Sequence, residues 1–253
     1  MALRTEVLGD GEPGVAVVYC VHGDEPCGKE AADRLRDSDL EFRESVKLVM
    51  ANEEAYRRGE KFIDADLNRC FGAGGDGHEH RLAERLLEEL EGLKVLDLHS
   101  TKSRPTPFSI VVGANSRNLD IVRSTGVART VDMSIVSGSL IEQVDGAAVE
   151  CGYQGSPAAA DNAYDVVLEF LASNDVIGRK ANPAEPALYE AYDRVQGEGY
   201  RFSGDNFRKV EKGEVYAVNG GSSKRAEESF YPVLMSTDGY GFKGMMGFKA
   251  RKL

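Results

Sequence analysis

A chain of 253 residues can bury one large α/β domain, or a catalytic domain with a smaller appendage. Its 42% hydrophobic and 29% charged side chains, with 28 glycines, belong to a folded globular protein and exclude disordered or fibrous classes. With 42 acidic against 31 basic side chains the net charge is −11, so the surface repels phosphate backbones and anionic membranes and nucleic acid is not an expected partner.

The four cysteines, Cys20, Cys27, Cys70 and Cys151, form no CxxC pair, and a disulfide scaffold has no support. The longest apolar runs, 15–21 and 108–113, fall well short of the roughly 20 residues of a membrane span. The opening MALRTEV lacks the apolar core of an export signal. Together these lead to the expectation of a cytoplasmic protein with no membrane partner.

In chain order, residues 14–21 (GVAVVYCV) form a β-branched apolar run bounded by turn residues, the pattern of a buried strand. HGDEPCG follows, and from Gly28 the positions of Ala31, Ala32 and Leu35 predict a helix, so this motif lies at a strand-to-helix turn. A second strand is expected over 46–51 (VKLVMA), then a charged surface loop through Lys61. Over 78–93, Leu82, Leu86, Leu87 and Leu90 share one face of an amphipathic helix ending near Gly92. His78 and His80 at its start are read as solvated.

Residues 94–98 (KVLDL) form the next buried strand and deliver His99 at its C-terminal end, where open α/β sheets gather ligands. Strands are expected at 108–112 and 147–150 and a helix at 161–171. This alternation predicts a mixed α/β sheet flanked by helices. After about residue 181, prolines, glycines and short alternating runs at 214–218 and 229–235 predict a small β-rich unit. The expected division is a catalytic domain, 1–180, and a C-terminal domain, 181–253.

His22 and Glu25 are three apart on a tight turn, which lets an imidazole nitrogen and a carboxylate oxygen face one cavity. A His-x-x-Glu pair alone is weak, and usually marks a polar loop at a helix start. Adding His99 from a buried strand completes two histidines and one carboxylate, the ligand set of a catalytic zinc with an open position. Asp97 stands where it can orient a ligand imidazole through its second nitrogen. Arg69, in DADLNR, can grip a substrate carboxylate with two parallel hydrogen bonds, and Asn68 offers an amide donor beside it.

HGDEPCG, DADLNR and DLHS, in this order and spacing, resemble the aspartoacylase and succinylglutamate desuccinylase family, related to zinc carboxypeptidases. The resemblance implies a carboxypeptidase-like catalytic domain followed by a smaller β-rich domain, with one Zn2+ per chain on His22, Glu25 and His99. It implies Glu150 as catalytic base and Asn68 and Arg69 as carboxylate binders, and brings Tyr240 to the site from the C-terminal part. The reaction implied is hydrolysis of the amide of a small N-acylated amino acid.

The chain also departs from the aspartoacylase pattern. The arginine expected a few positions before DLNR is replaced by Lys61, with Arg57 and Arg58 slightly earlier. Lysine keeps the charge and loses the planar fork. The tyrosine and arginine that serve aspartoacylase's second substrate carboxylate correspond by spacing to Val136 and Leu140, and Arg104 is a candidate replacement cation. A metallocarboxypeptidase acting on small peptides, a catalytically impaired carboxylate-binding relative, and assembly as a homo-oligomer all stay open at this point.

Overall fold

The structure is a computed structural model and describes residues 3–104, 106–237 and 244–253. Strand β1 (Arg4–Leu8), largely exposed, forms one edge of the main sheet. Next to it lie β2 (Val15–Tyr19), β3 (Val46–Met50) and β4 (Lys94–Thr101). Every side chain of β2 is buried, so both of its faces must be covered.

Between these strands run α1 (Cys27–Arg36), α2 (Glu53–Arg58) and α3 (His78–Glu89). There follow β5 (Phe108–Val111), α4 (Ser116–Ser124), β6 (Arg129–Asp132), β7 (Gly146–Tyr153) and α5 (Pro157–Ser173). The remaining chain is β-rich: β8 (Ala187–Gln196), β9 (Arg201–Phe202), β10 (Val215–Asn219), β11 (Ser222–Arg225), β12 (Tyr231–Val233) and β13 (Met245–Lys252).

Ten strands form one mixed sheet in the order β1-β3-β2-β4-β7-β5-β6-β8-β13-β12, so three strands from beyond residue 181 continue the sheet through the parallel β6–β8 pairing. A second sheet, β11-β10-β9, packs its Tyr216 and Ala217 with Phe230, Met235 and Met246. The mixed α/β fold expected from the sequence is thus present, with its C-terminal β-rich region.

Strand periodicity separates the two faces. Leu96 and Leu98 of β4, with Val15, Val17 and Tyr19 of β2, pack under α1 and α5. On the other face Ala16, Val18 and Val95 pack with Leu82, Ala83 and Leu86 of α3. Asp97 and His99 share the face of Val95. Because β3 lies on one side of β2 and β4 on the other, a crevice is left outside the C-terminal ends of β2 and β4. Among the described residues, no helix is long and apolar enough to cross a membrane.

Candidate metal centre and its cleft

Strand β2 ends at Cys20, whose φ of 54° turns the chain sharply out of the sheet. His22 and Glu25 lie on the turn that follows, closed by the Glu25 N–H donating to the His22 carbonyl at 3.3 Å. Gly23 donates to the Lys61 carbonyl at 3.1 Å, and a Cβ there would stand 2.2 Å from the Ala55 carbonyl carbon. Only glycine permits this approach, which fixes the turn against α2 and the loop bearing Lys61.

The second half of the site comes from two adjacent strands. His99 of β4 and Glu150 of β7 are partners in the parallel register, so their side chains leave the same face side by side. Glu25 reaches across to both imidazoles: one carboxylate oxygen lies 2.8 Å from His22 Nδ1, and the other lies 3.0 Å from His99 Nδ1 and accepts the Ser100 N–H at 3.0 Å. The outer nitrogens meet separate carboxylates, His22 Nε2 at 3.1 Å from Asp66 and His99 Nε2 at 2.8 Å from Asp97. The two rings stand edge to face, 5.3 Å apart.

Ligand atoms of His22, Glu25 and His99 all lie within 4.8 Å of one another, a grouping that can hold a metal ion. The donor set fits a divalent cation on two further grounds. Each imidazole turns Nδ1 toward Glu25 and has a carboxylate on Nε2, the arrangement that fixes ring orientation in metal-binding histidines. Four carboxylates, Glu25, Asp66, Asp97 and Glu150, also surround the site, while Lys61 is the cation bonded to one of them, at 3.1 Å from Asp66.

Burial depresses the imidazoles, but the charge of Glu25 and the bonds to Asp66 and Glu25 hold His22 above its ordinary pKa. For His99 the charge and hydrogen bond of Asp97, with Glu25, raise it further still against the same burial. Glu150 shifts the opposite way to most carboxyls here. Burial, then the nearby charge of Glu25, push it up to about 7, against the attraction of the two histidines. Its Oε2 is buried with no hydrogen-bond partner in the structure.

Asp66, Asn68 and Arg69 sit on one turn, where the Asp66 side chain accepts the Asn68 N–H at 3.1 Å. Asn68 Oδ1 accepts the Leu140 N–H at 3.1 Å, which ties this turn to the segment after β6. Arg69 is exposed, with one guanidinium N–H donating to the Asn68 carbonyl. His22, His99, Glu150, Lys61, Asn68 and Arg69 all line one cleft of about 130 Å3.

Tyr240 lies outside the described residues. Arg57 and Arg58 are paired with Glu53 and Glu54 on exposed turns of α2, and Arg104 with Asp205, so none of the three lines the cleft. His78 and His80 are half-buried rather than solvated: His78 Nε2 lies 3.3 Å from Asn52 Oδ1, and the His80 ring packs on Gly75. The pair of positions Val136 and Leu140 also separates. Val136 lines the cleft, whereas Leu140 is fully buried with Leu67 and Phe71, and Ile141 faces the cleft in its place.

Asp66 is the site residue that sequence reasoning passed over. Its partner His22 is 44 positions away, and nothing local to DADLNR distinguishes it from Asp64. Asp64 instead accepts the His78 N–H at the start of α3.

Residues 12–146 match the model of the succinylglutamate desuccinylase/aspartoacylase catalytic domain. The chain belongs to this family. Within the family, a stretch of 122 residues is 33% identical to a probable aspartoacylase of Acaryochloris marina, covering 42% of this chain and 41% of that protein. A shorter stretch of 99 residues is 30% identical to a succinylglutamate desuccinylase of Pseudomonas paraeruginosa, covering 34% of this chain and 30% of that one. The matched stretches thus span less than half of these family members' length.

Solved structures extend the likeness of fold to nearly the whole chain. A succinylglutamate desuccinylase/aspartoacylase of Rhodobacter sphaeroides superposes with a TM-score of 0.78 at 16% identity, covering 98% of this chain and 89% of its own. Murine aminoacylase 3 superposes with a TM-score of 0.72 at 20% identity, covering 96% and 97%.

Proposed function

We propose that the chain is a zinc-dependent hydrolase that cleaves the amide bond of an N-acyl amino acid. The observation that carries this reading is the pairing of an inward-facing His22, Glu25, His99 cluster with the unpartnered Glu150 oxygen in one cleft. His22, Glu25 and His99 would hold the zinc ion, which when bound would supply Lewis-acid chemistry for the amide carbonyl and lower the pKa of water.

The chain's own groups do the rest. Glu150, beside His99 on the same sheet face, takes the proton from the attacking water and passes it to the departing nitrogen. Asp66 and Asp97 hold the two imidazoles so that their Nδ1 lone pairs face inward. Arg69 at the rim binds the substrate carboxylate, with Asn68 beside it. Lys61, bonded to Asp66 and lining the same cleft, is assigned the stabilisation of negative charge developing on the carbonyl oxygen. Tyr240 is assigned to substrate binding on the family resemblance alone.

Purified protein tests this directly. We expect about one zinc per chain, hydrolysis of N-acetyl or N-succinyl amino acids, and loss of turnover after chelation that zinc restores. Turnover of blocked dipeptides with none of N-acyl amino acids would replace this reading by a carboxypeptidase.

A further inference from the structure

The cleft has two unlike halves. One is the ionic cluster around His22 and His99. The other is built from Ile110, Met133, Val136, Ile141, Leu234 and Phe248, with Ser139 as a polar member, contributed by β5, the segment after β6, the residue that follows β12, and β13. Among the described residues of its lining, the cations besides the two histidines are Lys61 and Arg69, and Lys61 is engaged by Asp66. If Arg69 takes one substrate carboxylate, a second would be stripped of water against a largely apolar wall with no free opposing charge among the described residues, which is strongly unfavourable.

The wall's position says which part of the substrate meets it. The segment that carries Val136 and Ile141 is clamped onto the turn that carries Arg69. The Leu140 N–H donates to Asn68 at 3.1 Å, and the Phe71 N–H to the Gly138 carbonyl at 3.3 Å. A Cβ on Gly138 would lie 3.0 Å from the Arg69 backbone. In an amino acid the carboxylate and the side chain leave the same carbon. A side chain on a carbon whose carboxylate reached Arg69 would lie within reach of Val136 and Ile141, with the scissile bond and acyl group toward the metal side.

We propose that the cleft selects a monoanionic N-acyl amino acid with an apolar side chain, and that Val136 and Ile141 are specificity-determining residues. This rests on the deacylase reading above and names its substrate class. Burying an aliphatic or aromatic side chain there removes apolar surface from water on both partners. A carboxylate side chain would meet the Ser139 hydroxyl at most, and no free cation among the described residues.

The test compares kcat/KM for N-acetyl-leucine, N-acetyl-methionine and N-acetyl-phenylalanine with N-acetylaspartate, N-acetylglutamate and N-succinylglutamate, on the zinc-loaded full chain. The apolar acetyl substrates should exceed the acidic ones by about tenfold or more, since even one methylene contact is worth that much in a fitted pocket. Val136→Arg should reverse the order, lowering KM for N-acetylaspartate and raising it for N-acetyl-leucine. As a readout apart from turnover, N-acetyl-leucine should raise the melting temperature of the Glu150→Gln variant more than N-acetylaspartate does.

Preference for N-acetylaspartate, N-acetylglutamate or N-succinylglutamate in the wild-type chain would overturn the inference and leave the deacylase reading standing. No hydrolysis of any of the six would sink the deacylase reading and the inference with it. Should Val136→Arg fail to fold, Ile141→Lys asks the same question from the neighbouring position.

Discussion

Glu79, fully buried on the first turn of α3, accepts the Ile63 N–H at 2.7 Å. Its other oxygen takes the N–H groups of Asp64 and Ala65 at 2.9 and 3.1 Å, while Asn52, at the start of α2, donates to the same oxygen as Ile63. One carboxylate thus satisfies three consecutive backbone donors of the loop that leads into Asp66, Asn68 and Arg69. Glu79→Gln turns one acceptor oxygen into a donor facing N–H groups. We expect a stability loss of about 1–3 kcal/mol, read as a lower urea midpoint, with an increased KM as the Arg69 turn loosens. Unchanged stability would mean that this loop is held by other contacts.

The same carboxylate gives a pH dependence of known sign. Burial alone would raise the Glu79 pKa, but the N–H groups of Ile63, Asp64 and Ala65, with Asn52, outweigh it and hold the carboxyl below its ordinary value. A depressed native pKa contributes stability that is full above the unfolded value and lost as pH falls through the native one. Wild type should therefore lose more stability than Glu79→Gln between pH 6 and pH 3 in urea titrations. Parallel curves for the two proteins would contradict this.

Glu150→Gln removes the proposed base and keeps the shape of the side chain. Since Glu150 is not among the three clustered donors, zinc content should stay near that of wild type, while kcat falls by about 10^2–10^4. Metal analysis and turnover on the same preparation check both halves at once. Retained turnover would remove Glu150 from the mechanism.

Much of this was legible in the sequence because it is written in short-range pattern. The β4 run KVLDL announces a buried strand, and its alternation puts Asp97 and His99 on one face, where they are bonded. The HGDE turn announces itself between an apolar strand and a helix. What short-range pattern could not show is pairing across distance. Glu79 reads as one more acid on a charged helix face, because the three N–H groups that bury it lie 14 to 16 residues earlier. Leu140 falls at a family site position by spacing, yet a short helical turn rotates it into the core and presents Ile141 instead. The union of β8, β13 and β12 with the main sheet depends on the β6–β8 pairing, which joins residues 58 apart and leaves no local signature.

Asp66 and Asp97 make a matched pair for testing how the imidazoles are held. Each bonds the outer nitrogen of one histidine, but Asp97 is almost fully buried whereas Asp66 also takes Lys61 and the Asn68 N–H. Asp97→Asn and Asp66→Asn should each weaken zinc binding by about 10–100-fold in chelator competition, as the loss of an outer hydrogen-bond partner does elsewhere. Asp66→Asn should in addition raise KM, because the Lys61 and Asn68 positions depend on the same carboxylate. Wild-type affinity in both variants would show that the three ligands position themselves without these carboxylates.

The raised Glu150 carboxyl makes the metal-free protein sensitive to pH in the direction opposite to Glu79. Burial and the charge of Glu25 raise its pKa to about 7. A carboxyl whose native pKa exceeds its unfolded one contributes stability that is full below the unfolded value and lost as pH climbs through the native value. Between pH 5 and pH 8 the metal-free protein should therefore lose stability from this group, and Glu150→Gln should lose less over the same interval. A zinc ion beside the carboxylate favours its charged form, so zinc loading should flatten the wild-type slope as well. Turnover of the zinc-loaded protein, which needs Glu150 unprotonated, should rise with pH through a midpoint below 7. A midpoint above 7 would mean that the ion does not act on Glu150, and would separate the base from the metal cluster.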